Sequence, residues 1–569
     1  MNLHRILTII TFIISCPILA QSQYPKDYFR SPLDIPLQLS GNFGELRSNH
    51  FHAGFDFRTQ QKEGLNVYAA AAGYVSRIKI SAYGYGKAIY IDHPNGYTTV
   101  YGHLKRGSAA VERYIKAQHY KEQNFEIDVF PKPGELVVTK GDLIAYSGNT
   151  GGSGGPHLHF EIRETNSEKI LNPLHFGFDS IIIDTKKPVV TDLVVYPINE
   201  QSVVNTSAEP VVLNLSPQPD GSYLAGKVSA TGKVGFGINA YDSNNYSTNK
   251  NGVYKVESYV NGSLSFGYQF DEFAFNESRY INALIDFSRF KRVGQRVQKL
   301  FMKQPFPLSI IRTDDERGIL NVSPNVTQTY RIEVSDFNNN KSIITVPIEY
   351  SNLPPTSPPA VPGSSSYFLR SGKDYNFEKD NFSVFIPENT FYEDFYIKFD
   401  VSDNVLTLGN PLTPVHSNFT VSVKVDGLSD ADADKMFIAS VSGNQVNFNS
   451  TKRKANTFTT YTKNLGQFKV VKDTIAPKVS AVKPIENKAF ANGRALELYI
   501  SDNLSGIREF DGYVNGKWAL FEYDYKTRKI THNIDDEFAV VGRNELKVVV
   551  SDNVGNSTIF ETHFYMTQK

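Results

Sequence analysis

The chain has 569 residues, and its 59 Lys plus Arg are balanced by 59 Asp plus Glu, so it projects no long-range field to recruit nucleic acid or an anionic surface. At about 150 residues per domain, three or four domains are expected, and 13% aromatics alternating with Val, Ile, Thr and Ser point to strands. Cys16 is the one cysteine, so no intramolecular disulfide can form and hydrophobic cores must hold the fold.

Residues 1–20 read as a secretory signal peptide. Arg5 precedes an apolar run from Ile6 to Ser15, too short for a membrane span, and Ala20-Gln21 is the cleavage point. A rival lipoprotein cleavage before Cys16 is disfavoured by Pro17. Either reading exports the protein to the periplasm or cell envelope, with no transmembrane span in the mature chain. About twenty residues separate Gln21 from the first motif, so no long inhibitory segment is expected ahead of it.

Eight of the 12 histidines fall between His50 and His175, which marks 21–183 as the working domain. Residues 73–80 alternate as a strand, and 88–93 and 97–103 flank Pro94-Asn95-Gly96, a strong hairpin signal that puts His103 near the end of the second strand. Residues 107–133 depart from this pattern. Within them 111–118 predict a short amphipathic helix with Val111, Tyr114 and Ile115 on one side. The segment is read as an insertion that walls one side of a groove. The glycine-rich stretch 147–155 leads into a strand, not a helix, and carries no Gly-Lys-Ser/Thr, so it is a groove lip rather than a phosphate loop. On the strand it enters, His157, His159 and Glu161 share one face while Leu158, Phe160 and Ile162 share the other.

Downstream the chain repeats itself. Asp184-Thr185-Lys186-Lys187-Pro188 recurs as Asp473-Thr474-Ile475-Ala476-Pro477, Tyr259-Val260-Asn261-Gly262 as Tyr513-Val514-Asn515-Gly516, and Val334-Ser335-Asp336 as Val550-Ser551-Asp552, with Asn340 and Asn556 in the same turn. Residues 184–350 and 472–569 therefore read as two immunoglobulin-like β-sandwiches. The first carries extra sequence, including a basic run from Arg289 to Lys303 read as a solvated amphipathic helix. Between them lie a proline-rich linker at 351–366 and a further β domain at 367–471. No cluster of metal-binding side chains is legible after His175.

A catalytic zinc wants three protein ligands and an open position. His52 with Asp56 four residues on, Gly54 between them to let the chain bend, and His159 form such a set, while His103 and His157 are available to assist water and a developing oxyanion. His50 could compete with His52, but only His52 has the aspartate at that spacing.

These residues, in the motifs 41–47 leading to His52-Ala53-Gly54-Phe55-Asp56, then Tyr101-Gly102-His103-Leu104, then Ser147–Gly151 leading to Gly155-Pro156-His157-Leu158-His159-Phe160-Glu161, resemble the lysostaphin and LytM type of zinc endopeptidase. The resemblance covers roughly 40–175. It implies a LytM-type antiparallel β peptidase domain, which with the Ig-like sandwiches read from the repeat makes the chain mainly β. It further implies Zn2+ on His52, Asp56 and His159, assistance from His103 and His157, and hydrolysis of peptide bonds in peptidoglycan stems or cross-links. The competing expectation is an exported scaffold whose peptidase-like domain docks on peptidoglycan or activates another hydrolase, with the β domains binding other envelope proteins.

Overall fold

The computed structural model describes residues 24–356, 366–534 and 538–567; the leader at 1–20 and most of the 351–366 linker lie outside them. Strands dominate. In chain order the N-terminal part forms β1 (Leu39–Gly41), β2 (Phe55–Arg58), β3 (Asn66–Tyr68), β4 (Gly73–Ile80), β5 (Lys87–Asp92), β6 (Tyr97–Gly102) and β7 (Leu104–Gly107). Then come α1 (Ala109–Glu122), β8 (Ile127–Val129), β9 (Val137–Val138), β10 (Leu143–Ser147), β11 (His157–Glu164) and β12 (Ile170–Leu171). The main sheet runs β1-β2-β11-β6-β5-β4-β8, and a second small sheet runs β3-β10-β7.

The hairpin β5–β6 turns at Gly96, whose φ of +85° is the left-handed conformation that a glycine adopts without steric cost. On β11 the alternation has a direct consequence. Leu158, Phe160 and Ile162 are fully buried, with Phe160 packed beside Phe57 and Phe178, and this fixes the opposite face toward the groove.

The helix is longer than the sequence pattern predicts, Ala109–Glu122 instead of 111–118. It buries Val111, Ile115 and His119, with Tyr114 at the margin. Periodicity underestimates it because a histidine, not an apolar residue, extends the buried face; His119 Nδ1 bonds the Asn124 carbonyl at 2.8 Å. Among the described residues no helix is long and apolar enough to cross a membrane.

After Asp184 the strands Val189–Pro197, Val228–Tyr241, Lys255–Val260, Ser263–Gln269, Gln328–Ser335 and Lys341–Tyr350 have counterparts in Lys478–Ala481, Ala495–Ser501, Ile507–Val514, Lys517–Ala519, Gly542–Asp552 and Ser557–Met566. The registers match: Val189 faces Tyr241 as Lys478 faces Ser501, and Ser335 faces Lys341 as Ser551 faces Ser557. In the last copy the strands form separate four- and five-stranded sheets. In the first, the strand Val228–Tyr241 belongs to both layers, switching at Gly232 (φ +77°).

The basic run is not one helix. A helix spans Phe287–Val293 and stops at Gly294, and Gln298–Lys299 then pairs with the strand Val228–Tyr241 while Val297 and Leu300 are buried. Residues 366–473 form six- and five-stranded sheets around their own core. The N-terminal part and the first sandwich, by contrast, share one hydrophobic core from Phe29 to Val346, and Ile170–Leu171 pairs with Glu272–Phe273 across the boundary.

Candidate metal centre

Adjacent strands set the site. Asp56 on β2 pairs directly with His159 on β11, and His159 pairs on its other side with Gly102 of β6. A Cβ on Gly102 would lie 3.3 Å from that of His159, so glycine leaves the imidazole its room. His52 sits just before β2, its backbone tied by His52 N–H to Glu45 O (2.8 Å) and Gly44 N–H to His52 O (2.9 Å); the 41–47 motif is the turn that holds it. Gly54 works by close approach and not by bending: its φ is unexceptional, but a Cβ there would lie 2.2 Å from the Phe160 carbonyl oxygen.

His52 Nε2, Asp56 Oδ1 and His159 Nδ1 lie 3.0, 3.1 and 2.9 Å apart pairwise, and all three residues are buried. The outward nitrogens fix the tautomers. His52 Nδ1–H donates to Asn42 O (2.8 Å) and His159 Nε2–H donates to Glu161 Oε1 (2.8 Å), so both inward nitrogens present lone pairs beside a carboxylate oxygen. Three acceptors converging without a donor among them is the arrangement a cation satisfies.

The electrostatics agree. Burial opposes charge on His159, yet the Asp56 and Glu161 carboxylates on either side lift its pKa to about 9, the same pull they would exert on a cation in the centre. Burial likewise opposes ionisation of Asp56, but the imidazoles of His52, His157 and His159 gathered around it hold it well below the carboxylate range. Glu161 is held down to about 2 despite burial, chiefly by Arg163, whose Nε donates to Oε2 at 2.6 Å. Arg47 Nη2 donates to Asp56 Oδ2 at 3.1 Å, which leaves Oδ1 for the centre.

His103 lies between β6 and β7 with φ +57°, an uncommon conformation for a non-glycine residue and a mark of functional placement. Its Nδ1–H donates to Thr150 O at 2.8 Å, which aims Nε2 inward, and burial together with His159 and His157 holds its pKa down to about 3. His157 Nδ1–H donates to Gly155 O at 2.8 Å and its Nε2 is 3.4 Å from Asp56 Oδ1. The rings of His103 and His157 are 4.7 Å apart. His50 stays out of the centre, exposed and bonded to Ser48 O.

A groove of about 600 Å³ opens beside Asp56 and His157, walled by Arg47, Arg58, Gln60 and the lip residues Gly154 and Gly155. No residue of 107–133 lines it. That segment instead faces the last sandwich, where Tyr120 packs on Trp518 with ring centroids 5.4 Å apart. Sequence reasoning missed Asn42, Arg47, Tyr85 and Arg163 as supports, and used Glu161 only as a face marker. The signal for Glu161 was available, since a carboxylate two residues from a ligand histidine on one strand face can reach its outer nitrogen.

The family described as Peptidase family M23 matches residues 50–120 and 129–173, and a Zu5-like domain matches residues 366–473. An uncharacterized metalloprotease of Haemophilus influenzae is 32% identical over 155 residues, 26% of this chain and 27% of that protein. Peptidoglycan DD-endopeptidase ShyA of Vibrio cholerae is 30% identical over 159 residues, 26% of this chain and 31% of its own length. The catalytic domain of lysostaphin from Staphylococcus simulans aligns at 25% identity over 24% of this chain and 87% of that domain, with a TM-score of 0.18. The chain thus carries a peptidase domain of family M23, the LytM-type class that the motifs resemble, followed by β domains that include a Zu5-like one. It spans about a third or less of the length of these curated relatives.

Proposed function

We propose that the protein is an exported, zinc-dependent endopeptidase that hydrolyses peptide bonds in peptidoglycan stems or cross-links. The observation that carries the reading is the convergence of His52 Nε2, Asp56 Oδ1 and His159 Nδ1, each with its other polar atom engaged elsewhere. Two imidazoles and one carboxylate are a zinc donor set with room for a fourth position. Bound there, zinc supplies a Lewis acid that brings the pKa of water to about 7 in favourable sites.

The chain's own residues do the rest. His103, kept neutral and aimed by Thr150 O, accepts a proton at Nε2 from the attacking water. The proton His103 takes is then passed to the departing amine, and His157, the more exposed imidazole beside Asp56, faces the developing oxyanion with Nε2 and donates to it when that nitrogen carries a proton. Arg47 and Asn42 hold Asp56 and His52 in place. Peptidoglycan as substrate is supported by the name of the Vibrio relative, and export by the signal-like leader.

Purified protein is assayed for zinc and for muropeptides released from sacculi. His159→Ala is expected to lose both. His103→Ala is expected to keep zinc and lose about 10²- to 10⁴-fold in rate. Unaltered release by metal-free His159→Ala would mean the reading is wrong, and the scaffold alternative would follow if zinc-loaded wild type released nothing.

A further inference from the structure

The sequence shows no metal cluster after His175, but folding builds two. Asp184, Asp242 and Asp336 bring one carboxylate oxygen each within 4.8 Å of the others, and so do Asp473, Asp502 and Asp552. These are the same three positions of the repeated sandwich. Asp242 follows the residue that faces Val189, and Asp502 follows the residue that faces Lys478. Asn340 N–H donates to Asp336 Oδ1 (2.7 Å) and its Nδ2 to Asp336 Oδ2 (2.6 Å), while Asn556 makes the same two bonds to Asp552 at 2.8 and 2.7 Å. The same asparagines reach Asp184 O and Asp473 O.

One atom is left over in each copy, and it is the same one. Asp242 Oδ1 and Asp502 Oδ1 are buried without a hydrogen-bond partner, and Asp242 as a whole is only 7% exposed. Among the described residues none of the six aspartates is in an ion pair. A buried carboxylate oxygen without a donor is costly. The two other carboxylates of each trio stand close by and add repulsion that a cation would relieve. The first trio lines a cavity of about 40 Å³ together with Asn42, Asn244 and Asn338, at the seam with the peptidase domain.

We propose that each sandwich binds one calcium ion, on Asp184, Asp242 and Asp336 in the first and on Asp473, Asp502 and Asp552 in the last. Calcium takes oxygen ligands at about 2.3–2.6 Å, so oxygens up to 4.8 Å apart can share one ion. The donors are all oxygen, which disfavours zinc. Magnesium keeps several waters and demands strict octahedral geometry, which suits a buried protein cage poorly. The aspartate trios carry this inference independently of the peptidase centre.

The full chain, zinc-loaded and stripped of loosely held metal on a chelating resin, is titrated with CaCl2 by calorimetry and melted with and without calcium. Two ions per chain and a calcium-dependent rise in Tm are expected. Asp242→Asn and Asp502→Asn should each remove one ion, and the double variant both, with zinc content unchanged. Asparagine keeps the shape and removes a like charge, so the calcium-free variants should melt no lower than calcium-free wild type. Terbium gives a second readout on wild type alone, because Tyr254 lines the first cavity and would sensitise its emission. Absence of calcium heat, Tm shift and terbium emission in wild type overturns the proposal. So does undiminished binding by the double variant, or an equal Tm shift with MgCl2.

Discussion

Glu161 shows how one side chain can govern a site it does not enter. It is fully buried, bonded to His159 on one side and to Arg163 on the other, with the Tyr85 hydroxyl donating to it as well. Glu161→Gln keeps the shape but weakens the hold on the His159 tautomer and leaves the guanidinium of Arg163, 4% exposed, without a counter-charge. Zinc affinity measured by chelator competition is expected to fall about 10- to 100-fold, and Tm to fall with it. A second residue, His93, ties pH to stability. Its Nδ1–H donates to Ala72 O and Thr99 Oγ1 donates to its Nε2, both at 2.8 Å, and burial depresses its pKa. Because the folded-state pKa lies below the unfolded one, the unfolded chain takes the proton first as pH falls. The contribution is therefore whole above about pH 6.5 and drains below it, at up to about 1.4 kcal/mol per pH unit. Urea midpoints at pH 7.5 and pH 5.5 should converge for His93→Gln relative to wild type.

At the scale of elements, the site was legible where chemistry coincided with a backbone rule. The alternation of His157 to Ile162 gives two faces from sequence alone, and Asn95-Gly96 gives the turn that sets His103 opposite. What stayed hidden depends on contacts between segments far apart in the chain. Gly54 reads as a bend, yet it is required by the Phe160 carbonyl on β11, more than one hundred residues downstream. Gly54→Ala should push β2 away from β11 and widen the His52–His159 gap, lowering zinc content and Tm together; zinc retention at the wild-type level would count against this account. The calcium trios were hidden for the same reason. Asp184 and Asp336 stood out as repeat markers, but Asp242 lies in a stretch whose likeness to 502–506 emerges only from strand register.

The chain folds back on itself, and its last domain meets the peptidase domain at the groove lip. Lys87 of β5 pairs with Glu522 of the last sandwich at 2.8 Å, and in the next turn Lys526 Nζ donates to Asn149 O (2.5 Å) and Ser153 O (3.3 Å). Those two lip residues flank Thr150, whose carbonyl aims His103, and Ser153 Oγ itself lies 3.2 Å from His157 Nδ1. The last domain thus braces the segment that positions both His103 and His157. Lys87 is 15% exposed but Glu522 is 39% exposed, so solvent screens the pair and its loss should cost only about 1 kcal/mol. Trp518, the one tryptophan of the chain, is 8% exposed where it packs on Tyr120, and so reports docking directly. In Glu522→Gln its emission should shift to the red and kcat fall a few-fold at constant zinc content. The charge-exchanged double variant, Lys87→Glu with Glu522→Lys, should restore both. Recovery of emission without recovery of kcat would separate docking from the lip and refute the brace, because the same hairpin supplies Glu522 to the one and Lys526 to the other.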